Sequence, residues 1–191
     1  MDALSLLVFL GVLAALAGVV VWLFTRVQEQ HRAHYAAMIG VAGNHGLTFK
    51  DDPSPEVRLH LEGVIDGFTI RILSRMSRQG ADRGPMTEIF ASIQSALPKE
   101  TTIELDRATG QLIGRGENSQ TAGKLLDNRH IRQAMDALTQ VRWDGMESKG
   151  WLDDSGVHIT MTALVSDPQM LSETMTKVLN AAAAIRDRTA S

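Results

Sequence analysis

The stretch Val57–Met76, "VRLHLEGVIDGFTIRILSRM", decides the fold because the hydrophobic period of the chain there becomes the two-residue period of β-strands. Asp66 and Gly67 lie between two alternating runs, which is a strong signal for a hairpin with a two-residue turn. Pairing about this turn places Ile65 opposite Phe68. The stretch therefore predicts an antiparallel hairpin with a defined register.

In this register the hairpin has one apolar face and one polar face, and Glu62 is opposite Arg71. The predicted apolar face comprises Val57, Leu59, Leu61, Ile65, Phe68, Ile70, Ile72 and Met76. The polar face and the loop that follows it carry five arginines: Arg58, Arg71, Arg75, Arg78 and Arg83. Guanidinium groups bind phosphate through parallel hydrogen bonds, so this basic patch is a candidate site for an anionic ligand or lipid headgroup. The alternative is a solvated sheet face covered by long side chains.

Further strands and helices follow from the same periodicities. Alternation predicts strands at Thr87–Ala96 and Thr101–Asp106. It also predicts a second hairpin with strands at roughly Val141–Glu147 and Val157–Val165 and its turn at Asp153–Gly156. Helical spacing predicts two helices, one with a stripe of Ile131, Ala134, Met135 and Leu138, the other with Leu171, Met175, Val178, Ala182 and Ile185. The sequence thus predicts an α+β fold: an antiparallel sheet of about six strands packed with two or three helices, after an N-terminal transmembrane helix.

The N-terminal segment has no charged residue from Ala3 to Phe24. As a helix it would be about 33 Å long, which matches a hydrocarbon core of about 30 Å. A cleaved signal is disfavoured, because no Lys or Arg precedes the run and the small-residue pattern Ala15-Leu16-Ala17 lies inside it. We therefore predict a transmembrane anchor at 1–26, a juxtamembrane helix at 27–46 and a soluble α+β domain at 47–191.

The flanks of the anchor predict its orientation. Arg26 and Arg32 follow the span, whereas no basic side chain precedes it. Since Lys and Arg close to a membrane tend to remain cytoplasmic, we expect the amino terminus outside and the domain inside the cell (inner) membrane. The alternative is a periplasmic domain.

Four small residues of the anchor, Gly11, Ala14, Ala15 and Gly18, have the spacing i, i+3, i+4 and i+7 and so share one helix face. Such a face lets two helices approach closely, which favours self-association. Gly and Ala are also simply common in membrane helices. The expected partners are therefore the lipid bilayer and, through the span, a membrane protein or a second copy of the chain.

Composition and motifs exclude several functional classes. The formal net charge of −3 disfavours nucleic-acid binding, and the absence of Cys excludes disulfides, thiolate metal sites and Cys nucleophiles. Gly114-Arg115-Gly116 lacks the third glycine of a dinucleotide loop. The glycines before Lys124 have the wrong spacing for a phosphate loop. The sequence predicts no catalytic residue, no metal site and no cofactor.

Several segments in this order resemble an uncharacterised group of bacterial proteins: "LEGVIDGFTIRI", "TEIFASIQSALPKETTIEL", "LLDNRHIRQAMDAL" and the last hairpin with its helix. In that group such a domain often follows membrane helices. The resemblance covers about 47–187 and rests on core and turn positions, so it implies a fold and no chemistry. We therefore expect a membrane-tethered interaction or accessory module without catalytic activity. The alternative is a sensor or binder of an anionic ligand or lipid headgroup through the Arg-rich sheet face.

Overall fold

A computed structural model describes residues 3–77, 84–93, 97–106, 109–143 and 145–189 and confirms the α+β class. A long N-terminal helix precedes an antiparallel sheet and three further helices. The helices are α1 (Ala3–His45), α2 (Ser119–Leu126), α3 (Arg129–Thr139) and α4 (Pro168–Thr189). The strands are β1 (Thr48–Phe49), β2 (Val57–Ile65), β3 (Phe68–Ser77), β4 (Gly84–Ser92), β5 (Thr101–Asp106), β6 (Gln111–Gly116), β7 (Arg142–Trp143), β8 (Met146–Leu152) and β9 (Gly156–Met161).

The sheet has the strand order β1-β2-β3-β4-β9-β8-β5-β6, and β7 pairs with β8. It has more strands than the roughly six predicted. Two of the additional strands, β1 and β7, have only two residues each, which is too short for a visible alternation. The third, β6, lies in a Gly-rich stretch that the sequence suggests is irregular. There Gly114 allows α2 to approach closely, since a Cβ at this position would contact the side chain of Ala122.

The first hairpin has the predicted register, with Ile65 opposite Phe68. The backbone φ angles of Asp66 and Gly67 are 52° and 83°, and a two-residue hairpin turn of type I′ requires both to be positive. Near the start of β2 the register shifts, so that Val57 is opposite Arg75. A β-bulge of this kind adds one unpaired residue and increases the local twist of the strand.

All four helices contribute to one hydrophobic core, which lies against one face of the sheet. The sheet contributes fully buried side chains from adjacent strands: Leu61, Ile70, Ile72, Ile89, Ile159, Leu152 and Ile103. The predicted stripes of α3 and α4 face them, with Met135 and Met175 completely buried. The opposite face of the sheet, which we call the outer face, carries mainly polar and partly exposed side chains.

The helix α1 is continuous over 43 residues, so it is about 65 Å long. It is apolar and long enough to cross a membrane, and none of its most apolar stretch is buried in the domain. Its last turns are different, because Ala37, Met38 and Val41 are buried in the core. The segment predicted as the juxtamembrane helix, 27–46, is thus partly a core element of the domain. It ends as expected at Gly46, whose positive φ of 67° stops the helix.

Two polar contacts fix α1 to the domain. The ring nitrogen Nδ1 of His34 is 2.7 Å from the carbonyl oxygen of Val165, and this histidine is only 1% exposed. About three turns further along α1, Nε2 of His45 is 3.1 Å from the hydroxyl oxygen of Ser172 on α4. Because these contacts and the buried apolar residues lie on the same side of α1, the helix cannot rotate against the domain without breaking them.

Candidate interaction surface

The outer face is open, and charged side chains near both of its ends are about half exposed. Arg71 on β3 is 48% exposed and Arg115 on β6 is 55% exposed. The strand pairing brings alternate residues of β2, β3, β4, β9, β8 and β5 to this face. The outer face is therefore a broad solvent-facing surface that the described helices leave uncovered.

Three rings stack across the centre of the outer face. His158 on β9 is in register with Phe90 on β4 and with Trp151 on β8. Its ring centroid is 4.5 Å from that of Phe90 and 4.7 Å from that of Trp151, and the indole plane is almost parallel to the imidazole plane, at 3°. At the ends of this row, Arg71 lies 6.0 Å from the centroid of Phe90 and Lys149 lies 5.9 Å from that of Trp151. Cations at such distances are attracted to the ring faces.

His158 also contacts two carboxylates and a hydroxyl group. Its Nε2 is 3.2 Å from Oδ1 of Asp153 and 3.1 Å from Oγ of Ser155, while its Nδ1 is 3.6 Å from Oε1 of Glu88. Burial by itself would lower the pKa of His158, but the two carboxylates outweigh burial and raise the pKa above its ordinary value. For Asp153, a carboxylic acid, burial by itself would raise the pKa. Hydrogen bonds with His158 and Ser155 outweigh burial and hold the pKa of Asp153 well below its ordinary value. The cluster therefore favours an imidazolium between two carboxylates.

Ser155, His158 and Asp153 are the residue types of a nucleophile, a base and an orienting acid, but their connections are different. The hydroxyl group of Ser155 donates a hydrogen bond to Oδ1 of Asp153, and the two oxygens are 2.6 Å apart. The raised pKa of His158 favours the cationic imidazole, and this form does not accept a proton from the hydroxyl group. Asp153 Oδ1 also accepts hydrogen bonds from the backbone N–H groups of Ser155 and Gly156. The geometry is that of a side-chain lock on the β8–β9 turn.

Ion pairs balance most of the charge on the outer face. Arg71 Nε is 2.7 Å from Oε2 of Glu62, and Arg75 is 2.9 Å from Glu88. On the other side of the aromatic row, Arg115 is 2.6 Å and Lys149 is 3.6 Å from the carboxylate of Glu104. Exposed pairs of this kind contribute little to stability, so their main consequence is a surface of alternating charge.

The structure brings together part of the predicted basic patch. Arg71 and Arg75 lie on the outer face, and both are paired with carboxylates. Arg58 is exposed at the bulge of β2, whereas Arg78 and Arg83 lie outside the described residues. Binding of an anionic ligand to this patch stays a prediction.

The four small residues of the span, Gly11, Ala14, Ala15 and Gly18, are exposed on α1. At 3.6 residues per turn, Gly18 lies about 140° around the helix axis from the buried Val41. The small-residue face thus points away from the domain, which leaves it accessible to a second helix. Self-association through this face stays a prediction.

Elsewhere, the described residues form two recesses and no group of side chains arranged to hold a metal ion. No group of three or more His, Asp or Glu side chains in these ranges is arranged to hold a metal ion. One recess of about 260 Å³ lies beside the β5–β6 turn and is lined by Gln111, Arg132 and Asp136. A second, of about 190 Å³, lies beside α1 and is lined in part by Gln30, Pro85 and Trp143.

Comparison with known protein families, with curated proteins and with solved structures finds no match to this chain. The resemblance to anchored bacterial proteins therefore stays a prediction, and the function must be inferred from the structure itself.

Sequence reasoning identified the turn at Asp153 but missed the aromatic row. A turn at 153–156 pairs Trp151 with His158, so this half of the row was within reach of a local pattern. Phe90 was not, because β4 and β9 are far apart in sequence and only the strand order makes them neighbours.

The raised pKa of His158 predicts a pH-dependent contribution to stability. A group whose pKa is raised by folding stabilises the fold fully below its unfolded pKa, and this contribution is lost as the pH rises through the folded pKa. In His158→Gln the loss of unfolding free energy should therefore be larger at about pH 6 than at about pH 9. Denaturant titration of the full chain in detergent micelles measures the free energy of unfolding at each pH. The control is His130→Gln, an exposed site on α3. An equal loss for His158→Gln at both pH values would contradict the imidazolium assignment.

Proposed function

We propose that this protein is a single-pass membrane-anchored interaction module, in which α1 anchors the domain and the outer face binds a partner protein. The observation that carries the proposal is the division of α1 into two parts. Side chains from Val8 to Phe24 are exposed and apolar, whereas Met38 and Val41 further along the same unbroken helix are buried in the domain core. Exposed apolar surface of this extent is costly in water, and lipid removes that cost.

The rigid junction supports a docking role for the domain. Because α1 is held by buried apolar residues and by the His34 contact, the outer face keeps a fixed direction relative to the membrane. A fixed direction lowers the entropy lost when a second membrane-bound protein binds. This favours a partner within or next to the same membrane.

The chemistry of the outer face supports a protein as the partner. Trp and Arg are enriched among residues that dominate binding energy, and the outer face presents Trp151 within the aromatic row and Arg71 at one end of that row. The alternating charges require a surface of complementary pattern, which confers specificity. A polyanion would instead meet Glu62, Glu88 and Glu104 beside each cation.

For the location we propose the cell (inner) membrane, with the amino terminus outside and the domain in the cytoplasm. Arg26 and Arg32, on the domain side of the apolar stretch, support this orientation. Trp22 supports a membrane boundary at this point, since its ring lies 5.3 Å from the guanidinium carbon of Arg26.

Charges within the apolar half of α1 should release the protein from membranes. Each Arg near the centre of a span costs about 2.5–3.5 kcal/mol of insertion free energy, so Leu13→Arg/Leu16→Arg should move most of the protein from the carbonate-resistant pellet to the supernatant. The matched control is Ala33→Arg/Ala36→Arg, which adds the same charges at exposed positions beyond the apolar stretch. Retention of both variants in the pellet would contradict anchoring by α1.

The orientation can be measured with single cysteines, since the chain has none. Asp154→Cys places a thiol in the exposed β8–β9 turn, and Asp2→Cys places one before the span. In spheroplasts a membrane-impermeant maleimide should label Asp2→Cys and leave Asp154→Cys unlabelled until the membrane is permeabilised. The reverse pattern would assign the domain to the periplasmic side.

Charge reversal on the outer face should remove the partner. We expect a stoichiometric protein to copurify with the full chain in mild detergent, and Arg71→Glu/Lys149→Glu to reduce its yield at least about tenfold, equivalent to about 1.4 kcal/mol. Arg129→Glu/Arg188→Glu is the control, because it changes the net charge equally at exposed sites on α3 and α4. If no such protein copurifies, or if the two variants retain it equally, the outer face is not the docking surface.

A further inference from the structure

A recess lies at one end of the sheet, beside α1. Gln30 of α1, Pro85 of β4 and Trp143 of β7 line it, together with Ser166 and the chain that follows β9. Its volume is about 190 Å³. We call the residues around it the foot of the domain.

The foot lies close to the end of the apolar stretch of α1. Gln30 follows Arg26 by four residues, which is about 6 Å along the helix axis. The headgroup layer adds about 5–8 Å to each side of the hydrocarbon core. If α1 spans the membrane, as proposed above, the foot is therefore at the level of the lipid headgroups.

The contacts of α1 show that the strands rise from the foot along the helix. His34 lies beside Val165, and the amide N–H of Val165 donates to the hydroxyl oxygen of Thr87, two residues along β4 from Pro85. At the far end, Leu47 contacts Gly63. The sheet pairs Gly63 with Ile70 and Ile70 with Ala91.

Distances along the two elements agree. From Gln30 to His45, the last residue of α1, is about 22 Å along the helix axis, and from Pro85 to Ala91 is about 20 Å along a strand. The helix α1 packs against α4 and β2, and from Gln30 onward it runs in the same direction as β4 does from Pro85, away from the membrane. Trp151 is level with Phe90 across the sheet, so it lies about 17 Å further from the membrane than Pro85.

The side chains of the foot suit a headgroup layer. Trp143 is partly exposed, and an indole ring has an apolar body with one N–H donor, the combination that is enriched at membrane interfaces. Gln30 and Ser166 offer an amide and a hydroxyl group to phosphate or ester oxygens. These groups are neutral, so they require no particular headgroup charge.

We propose that the foot is embedded in the headgroup layer of the membrane that α1 spans, and that its recess accommodates a phospholipid headgroup. The proposal rests on the anchoring role of α1. The domain then stands directly on the bilayer, with its strands rising from the lipid.

Tryptophan quenching tests this placement, since Trp22, Trp143 and Trp151 lie at three different levels. The full chain is reconstituted into phosphatidylcholine vesicles with and without lipid that carries a nitroxide on its headgroup. Each of three variants keeps one tryptophan, the other two being replaced by Phe. We expect strong quenching of Trp143 and Trp22, and quenching of Trp151 at least several-fold weaker.

The outcomes separate this proposal from the anchor. Quenching of Trp22 without quenching of Trp143 would overturn embedding of the foot and leave the anchor intact. Absence of quenching for both would overturn the anchor as well. Equal quenching of Trp143 and Trp151 would overturn the upright arrangement of the strands.

A carboxylate introduced into the recess by mutation tests whether a lipid headgroup occupies it. Ser166→Glu, in the variant that keeps only Trp143, should reduce quenching at least about twofold, because a carboxylate repels lipid phosphate. Gln120→Glu is the control, at an exposed position on α2. Unchanged quenching in Ser166→Glu would overturn occupation of the recess by a headgroup.

Discussion

The structure depends on the packing of one helix in two environments. From Val8 to Phe24 the helix α1 exposes only apolar side chains, whereas its last turns bury Ala37, Met38 and Val41 in the core. No break separates the two halves, so the direction of the domain follows from the direction of the helix. The His34 contact adds a directional polar bond to an otherwise apolar junction.

The outer face combines features that do not arise from stability alone. Ion pairs such as Arg115–Glu104 are half exposed and add little to the free energy of folding. The ring of His158, in the middle of the aromatic row, lies between the carboxylates of Glu88 and Asp153, which fix its position. A preordered, chemically varied surface of this kind favours specific recognition. The side-chain lock at Asp153 explains the presence of Ser, His and Asp in one cluster without an activated nucleophile.

Much of the fold was accessible from local patterns. The Asp66-Gly67 turn and the alternation around it determined the first hairpin, because a two-residue turn fixes the register. The stripes of α3 and α4 were correct because each helix has a single apolar face. In α1, helical spacing places Tyr35 and Ile39 on the same side as Met38. Both are about half exposed, since the helix packs through the face that contains His34 and Val41 instead.

The sequence by itself therefore determined the long apolar N-terminal helix, the α+β class and the first hairpin, all of which depend on residues close together in the chain. Only the tertiary structure decided the strand order that places β9 beside β4, and with it the row of Phe90, His158 and Trp151. It also decided the pairing of Arg75 with Glu88 and the position of Trp143 beside α1. Such contacts join distant segments, and which segments meet depends on the packing of the entire core, for which short-range periodicity holds no information.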